Sequence, residues 1–128
     1  MRKLDPEVEE LARQVVDAIY MVHSTLGPGL LESVYQQCLE HEIASRGLQV
    51  ERHVYLAIRY RDLEIPNAFQ MDLLVQQTII IEVKAVEELK RIHMAQLLNY
   101  LKLSGLRLGF IANFNVALIK DGIKRVIL

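Results

Sequence analysis

Apolar residues recur every three or four positions in the first third of the chain and predict two helices. Asp5 and Pro6 fit the N-cap and the first turn of the first helix. The segment Gly27-Pro28-Gly29 interrupts the pattern, and the second helix is expected to end near Arg46, where Gly47 follows. The apolar positions of the first helix are Val8, Leu11, Ala12, Val15, Ile19 and Val22; those of the second are Leu31, Val34, Tyr35, Cys38 and Leu39.

Alternating apolar and polar positions then replace the helical period and predict a half-buried strand over Leu48–Tyr60. We expect its apolar residues to share one face: Leu48, Val50, Val54, Leu56, Ile58 and Tyr60. Pro66 and Asn67 interrupt the following strand, so its pairing should be irregular there. Two apolar runs, Phe69–Val75 and Thr78–Val86, complete an antiparallel meander of three strands.

Three charged residues interrupt these last two runs: Asp72 in the first, and Glu82 and Lys84 in the second. Glu82 and Lys84 are two residues apart, so they share a face of the strand. Charges in a buried strand must be paired or must bind an ion. A structural Glu82–Lys84 pair, with Asp72 at a strand end, is one interpretation, and a functional site is the other.

The length of the hairpin connection decides whether Asp72 joins the other two. A two-residue connection would place Asp72 opposite Ile81 and turn Glu82 to the other face. A three-residue connection, Gln76 to Thr78, places Asp72 opposite Glu82, with Lys84 on the same face. We predict the second register, in which two carboxylates lie within roughly 5 Å, the spacing of a cross-strand pair. Such a pair favours a cation with oxygen ligands, Mg²⁺ or Mn²⁺.

The rest of the chain predicts a helix over Glu87–Leu103, closed by Gly105, and an apolar strand over Leu106–Phe114. A strand–helix–strand crossover makes this strand parallel to Thr78–Val86. A last short strand is expected over Ile123–Leu128. The fold class is therefore α/β, a mixed sheet flanked by helices. One stripe of the helix consists of Leu89, His93, Gln96, Tyr100 and Leu103. Its three polar side chains, those of His93, Gln96 and Tyr100, face either the carboxylates or solvent.

Composition narrows the class of protein. The 128 residues are 52% apolar and 24% charged, which suits one domain spanning residues 1–128. A net charge of −1 means that any nucleic-acid binding must use a local basic patch. Cys38 is alone, so no disulfide framework is expected. No membrane-length apolar run and no apolar secretion segment are present, so a cytoplasmic location is the expectation.

Four motifs in order resemble the PD-(D/E)xK nuclease superfamily. Asp72 and Glu82-Val83-Lys84 occupy the acid and E-x-K positions, although Met71 stands where the superfamily name has proline. The segment Gly29–Tyr35 is similar to the G-x-x-E-x-x-Y signature of a bacterial family within the superfamily. The segment Gln96–Tyr100 resembles the Q-x-x-x-Y motif of RecB-type nucleases. The resemblance extends over nearly the whole chain and implies a restriction-endonuclease-like core.

The resemblance implies metal-dependent hydrolysis of phosphodiester bonds in nucleic acid, with DNA favoured over RNA. Asp72, Glu82, the Val83 carbonyl and Glu32 would hold Mg²⁺ or Mn²⁺, and Lys84 would orient water or stabilise charge. Position alone favours a simpler account of Glu32 as a solvated carboxylate in the first turn of a helix. Further expectations are positioning of the metal or the nucleic acid by Gln96 and Tyr100, and phosphate contacts by Lys90, Arg91, Lys102 and Arg107.

Two other interpretations of the chain stay open. One is a catalytically silent domain of this fold that binds nucleic acid or protein, and the other is a subunit of a larger complex. A homodimer would let a domain this small reach both strands of a duplex.

Overall fold

The computed structural model describes residues 3–128, and within them a mixed five-stranded sheet is flanked by three α-helices. The elements are α1 (Pro6–Leu26), α2 (Glu32–Ser45), β1 (Val50–Tyr60), β2 (Leu63–Val75), β3 (Ile79–Lys84), α3 (Arg91–Ser104), β4 (Leu108–Asn113), a short 3₁₀ helix (Ile119–Asp121) and β5 (Ile123–Ile127). The strand order is β1-β2-β3-β4-β5, with β3 and β4 parallel and the other neighbours antiparallel. The predicted meander and parallel crossover strand are confirmed.

The sheet separates two apolar clusters. The first packs the sheet against α1 and α2, and its most buried members include Ile19, Tyr35, Leu39, Ile81 and Phe110. The second packs the opposite side against α3, with Ile80, Leu97, Leu101 and Ile111 among its members. β3 contributes alternate residues to both clusters and is buried along most of its length, as expected for a central strand with a parallel neighbour. No helix in residues 3–128 has the length and apolar character needed to cross a membrane.

The third helix begins at Arg91, so the prediction that it starts at Glu87 is wrong. Residues 85–90 form a loop after β3, in which Glu87 and Glu88 are exposed. The buried side chain of Asn113 accepts a hydrogen bond from the Val86 N–H (3.1 Å) and donates one to the Val86 carbonyl (2.9 Å). These two bonds hold the loop on β4 and keep it from continuing as helix. Gly105 ends the helix in a left-handed conformation, as predicted.

The apolar residues of β1 do not share one face, which corrects the prediction from alternation. Val50 packs in the first cluster, together with Leu48 just before the strand, whereas Val54 and Leu56 pack in the second. The change falls at His53, whose φ of 58° lies in the left-handed region. A residue in that conformation breaks the two-residue repeat, so the side chains beyond it turn to the other side of the sheet.

The irregular pairing predicted at Pro66 and Asn67 is confirmed. The β1–β2 register shifts between Leu56 and Ile58, and Asn67 has a φ of 55°. The tip of the β1–β2 hairpin, residues 57–67, is largely exposed, and it extends past the positions at which β2 pairs with β3.

Gly122 lies so close to the end of β4 that a side chain cannot be accommodated. A Cβ at this position would lie 2.1 Å from the backbone oxygen of Asn113. We expect Gly122→Ala to lower the free energy of unfolding by about 2–4 kcal/mol, measured by urea denaturation, because two backbone segments must separate. Gly109→Ala is the control, since its Cβ would meet the side chain of Leu97, with Cδ1 at 2.8 Å, and no backbone atom is among its three nearest contacts. A loss no larger than that of Gly109→Ala would contradict this account.

Candidate metal and nucleic-acid site

Asp72 and Glu82 are brought together by the register of the β2–β3 hairpin. Leu73 pairs with Ile81, and the next position in this register places Asp72 opposite Glu82. The connection has the three residues predicted from the sequence, and two of them, Gln76 and Gln77, have positive φ. Positive φ at non-glycine residues is uncommon, so the connection was predicted from the polar break between two apolar runs and not from a glycine.

Two hydrogen bonds fix the carboxylates to the hairpin. The Asp72 N–H donates to Glu82 Oε2 (2.9 Å), and the Val83 N–H donates to Asp72 Oδ2 (2.8 Å). Each carboxylate therefore has one oxygen held by the neighbouring strand. The second oxygen of each accepts no hydrogen bond from residues 3–128 and is left for another partner.

Burial and mutual repulsion make the charged form of this pair unfavourable. Glu82 is only 5% exposed, and burial, followed by the charge of Asp72, raises its pKa to about 8. Burial also raises the pKa of Asp72, against the Val83 hydrogen bond and the charge of Lys84. A cation bound between the two carboxylates would relieve both effects.

Lys84 ends β3 two residues after Glu82 and is half-buried. Its charge lowers the pKa of both Asp72 and Glu82, although burial of these carboxyl groups outweighs it. The three side chains predicted to share a face therefore interact electrostatically. Val83 lies between Glu82 and Lys84 in the sequence, and its side chain packs in the first cluster.

Glu32 is the first residue of α2 and approaches the site from the helix layer. Its charge raises the pKa of Asp72 and Glu82, after the larger contribution of burial. Tyr35, one turn later, fixes the start of this helix. Its hydroxyl donates to the Gly27 carbonyl (2.6 Å) and accepts from the Leu30 N–H (3.1 Å). Glu32 thus acts on the two carboxyl groups through its charge, whereas Tyr35 holds the loop that precedes α2.

Tyr100, on α3, lies close enough to the two carboxyl groups for their charges to affect its hydroxyl. Burial, followed by the charges of Glu82 and Asp72, raises the pKa of the Tyr100 hydroxyl to about 12. Its ring packs edge-on against Phe69, with 5.3 Å between centroids. Gln96 lies one turn earlier, half-buried, and makes no side-chain hydrogen bond within residues 3–128.

The basic residues predicted to contact phosphate differ in their availability. Lys90, Arg91 and Lys102 are exposed around α3. Arg107 is half-buried and donates to the carbonyls of Leu128 (3.5 Å) and Lys3 (3.4 Å). The guanidinium of Arg107 is thus engaged with the backbone near the chain ends.

The donor atoms at the site fit Mg²⁺ or Mn²⁺ with two protein carboxylates. Among residues 3–128, no three acidic, histidine or cysteine side chains are close enough to hold one metal ion. Glu32 therefore does not complete a three-carboxylate cluster in this conformation. Mg²⁺ commonly keeps several waters and uses one or two carboxylates, and the two remaining oxygens of Asp72 and Glu82 match that requirement.

Two residues near Asp72 were not predicted as part of the site. Arg52 and Val54, the neighbours of His53 in β1, pair with Leu73 and Met71 of β2. His53 therefore lies opposite Asp72, on the other side of β2 from Glu82. Its Nε2 lies 3.0 Å from Oε1 of Gln36, a residue of α2 that is only 8% exposed. Alternation assigned His53 to the solvent face, and nothing in the sequence signalled its left-handed backbone.

The comparison with known families agrees with this geometry. The sequence model described as PD-(D/E)XK nuclease superfamily matches residues 9–126. The chain belongs to the PD-(D/E)XK nuclease superfamily. No curated protein matches the chain.

Proposed function

We propose that this protein is a nuclease that uses a divalent metal ion to hydrolyse phosphodiester bonds in nucleic acid. The observation that carries the proposal is the Asp72–Glu82 pair, in which Glu82 is buried and Asp72 half-buried, held by reciprocal contacts across β2 and β3 with Lys84 beside it. Buried carboxylates of like charge destabilise a fold unless they bind something. Membership of a nuclease superfamily supports phosphodiesters as the substrate class.

In this proposal Asp72 and Glu82 hold Mg²⁺ or Mn²⁺, with the Val83 carbonyl and Glu32 as additional ligands, directly or through water. The ion would polarise the phosphate, activate water and offset the charge of the transition state. The start of α2, fixed by Tyr35, supports a role for Glu32 at the site. We take the G-x-x-E-x-x-Y segment, Gly29–Tyr35, as the part of the chain that supplies this glutamate.

Lys84 would orient the attacking water and stabilise the charge that develops on phosphate. A lysine ammonium group has three hydrogen-bond donors and no acceptor. It therefore acts through charge and hydrogen bonding rather than by accepting a proton. Tyr100 and Gln96 would donate hydrogen bonds to the metal's ligands or to the nucleic-acid backbone. We propose DNA as the first substrate to test, and a homodimer as the form that reaches both strands.

Replacing Lys84 by alanine tests this assignment, because the metal ligands remain. With labelled single- and double-stranded DNA, and RNA of the same sequence, we expect the wild type to cleave at least one substrate in Mn²⁺. We expect Lys84→Ala to cleave it at least about 100-fold more slowly, because the charge in the transition state loses its partner. Lys124→Ala, on the exposed surface of β5, is the matched control. Equal cleavage by wild type and Lys84→Ala, or none by either, would contradict the proposal.

A further inference from the structure

His53 lies beside Asp72, because its two neighbours in β1 pair with the residues on either side of Asp72 in β2. Asp72 and Glu82 follow directly on the last paired positions of β2 and β3. His53 is exposed and lies on the edge strand, where a ligand can approach from solvent. The two carboxylates lie on β2 and β3, which are inner strands of the sheet. A molecule bound at the carboxylates and extending toward the β1 edge would therefore meet the imidazole.

The backbone of His53 and its contact with Gln36 hold the imidazole in place. The left-handed φ of 58° is disfavoured for residues with a Cβ. The buried Gln36 reaches from α2 to this exposed ring, and its Oε1 lies 3.0 Å from Nε2. A solvated surface histidine needs neither a buried partner nor a disfavoured backbone. Disfavoured backbone conformations concentrate at functional sites.

The contact with Gln36 also fixes which ring nitrogen is available. An amide oxygen only accepts, so Nε2 carries a hydrogen, and Nδ1 is the atom left for a ligand. In the cationic form of the ring, Nδ1 also carries a hydrogen and can donate to an anion. Lys84 supplies a positive charge on the β3 side of the carboxylates, and His53 would supply another on the β1 side.

We propose that His53, held by Gln36, binds a phosphate group of the nucleic acid next to the Asp72–Glu82 pair. This inference rests on the proposed function, since it concerns the substrate of the same site. The ring donates from Nδ1 to a non-bridging phosphate oxygen, a charge-assisted hydrogen bond. His53 is thus a substrate-binding residue on β1, with Gln36 as the residue that positions it.

Binding of a labelled oligonucleotide in Ca²⁺, measured by fluorescence anisotropy at pH 6, tests the inference without requiring cleavage. We expect His53→Asn to weaken the affinity about tenfold and to reduce the slope of log affinity against log salt by about one. Asparagine tolerates the left-handed backbone, so the fold is retained. His41→Asn, an exposed histidine of α2, is the matched control and should bind like the wild type. Gln36→Leu should weaken binding in the same direction, with its melting temperature checked in parallel.

The outcomes separate this inference from the proposed function. Weaker binding by His53→Asn, with unchanged Mn²⁺ affinity, supports the phosphate contact whether or not the wild type cleaves. Unchanged binding by His53→Asn overturns it, even if the wild type is an active nuclease. A lowered Mn²⁺ affinity in His53→Asn would make the histidine a metal ligand and overturn it as well, as would a wild type that binds no oligonucleotide at low salt.

Discussion

Asp72→Asn is expected to eliminate cleavage and at the same time to stabilise the metal-free protein. The asparagine oxygen can still accept the hydrogen bond from the Val83 N–H that Asp72 accepts now, at 2.8 Å. At pH 8.5, above the raised pKa of Glu82, the substitution removes one of two neighbouring like charges, so the melting temperature should rise by roughly 2–5 °C. It also removes a proposed ligand of the metal, so the cleavage rate should fall at least about 10³-fold.

Differential scanning calorimetry in chelator and a cleavage assay in Mn²⁺ measure the two effects on the same preparation. Asp62→Asn, at the exposed turn between β1 and β2, is the control and should change neither. A less stable Asp72→Asn protein would show that the carboxylate serves the fold. Full activity in this variant would remove Asp72 from the site.

The metal-free wild type is expected to lose stability as pH rises from about 4.5 to about 8. Burial raises the pKa of Glu82 from 4.5 to about 8, so across this range the folded state holds a proton that the unfolded state has released. The folded state binds more protons, and stability therefore falls with increasing pH. The raised pKa of Asp72 acts in the same direction from its own ordinary value of 3.8.

Melting temperatures at pH 5 and pH 8.5 check this directly, and we expect a fall of more than about 4 °C in the wild type. Glu82→Gln should lose most of this dependence, because its amide does not titrate. Glu88→Gln, in the exposed loop after β3, should keep it. Mn²⁺ should raise the melting temperature more at pH 8.5 than at pH 5, since it binds deprotonated carboxylates. The same slope in Glu82→Gln and wild type would show that Glu82 is not the titrating group.

The hairpin that carries the acids could be predicted because its register follows from one rule. Side chains alternate along a strand, so bringing Asp72, Glu82 and Lys84 to one face required a connection of three residues. The structure has that connection. The parallel placement of β4 was predicted from the strand–helix–strand order, which makes a crossover connection.

The start of α3 and the switch of faces at His53 could not be predicted, because both depend on tertiary contacts. Glu87 and Glu88 suit the first turn of a helix, but the side chain of Asn113, distant in sequence, holds the preceding residue as loop. His53 is a non-glycine residue with positive φ, and its partner Gln36 belongs to a different element. Local propensity carries no information about either contact.

We expect the Asp72–Glu82 pair to bind a divalent metal ion. Calorimetric titration of Mn²⁺ into the wild type and into Asp72→Asn, with anomalous scattering from Mn²⁺-soaked crystals, tests it most directly. We expect an ion between the Asp72 and Glu82 carboxylates and loss of its binding in Asp72→Asn. Absence of binding at millimolar Mn²⁺, or equal affinity in the two proteins, would contradict it.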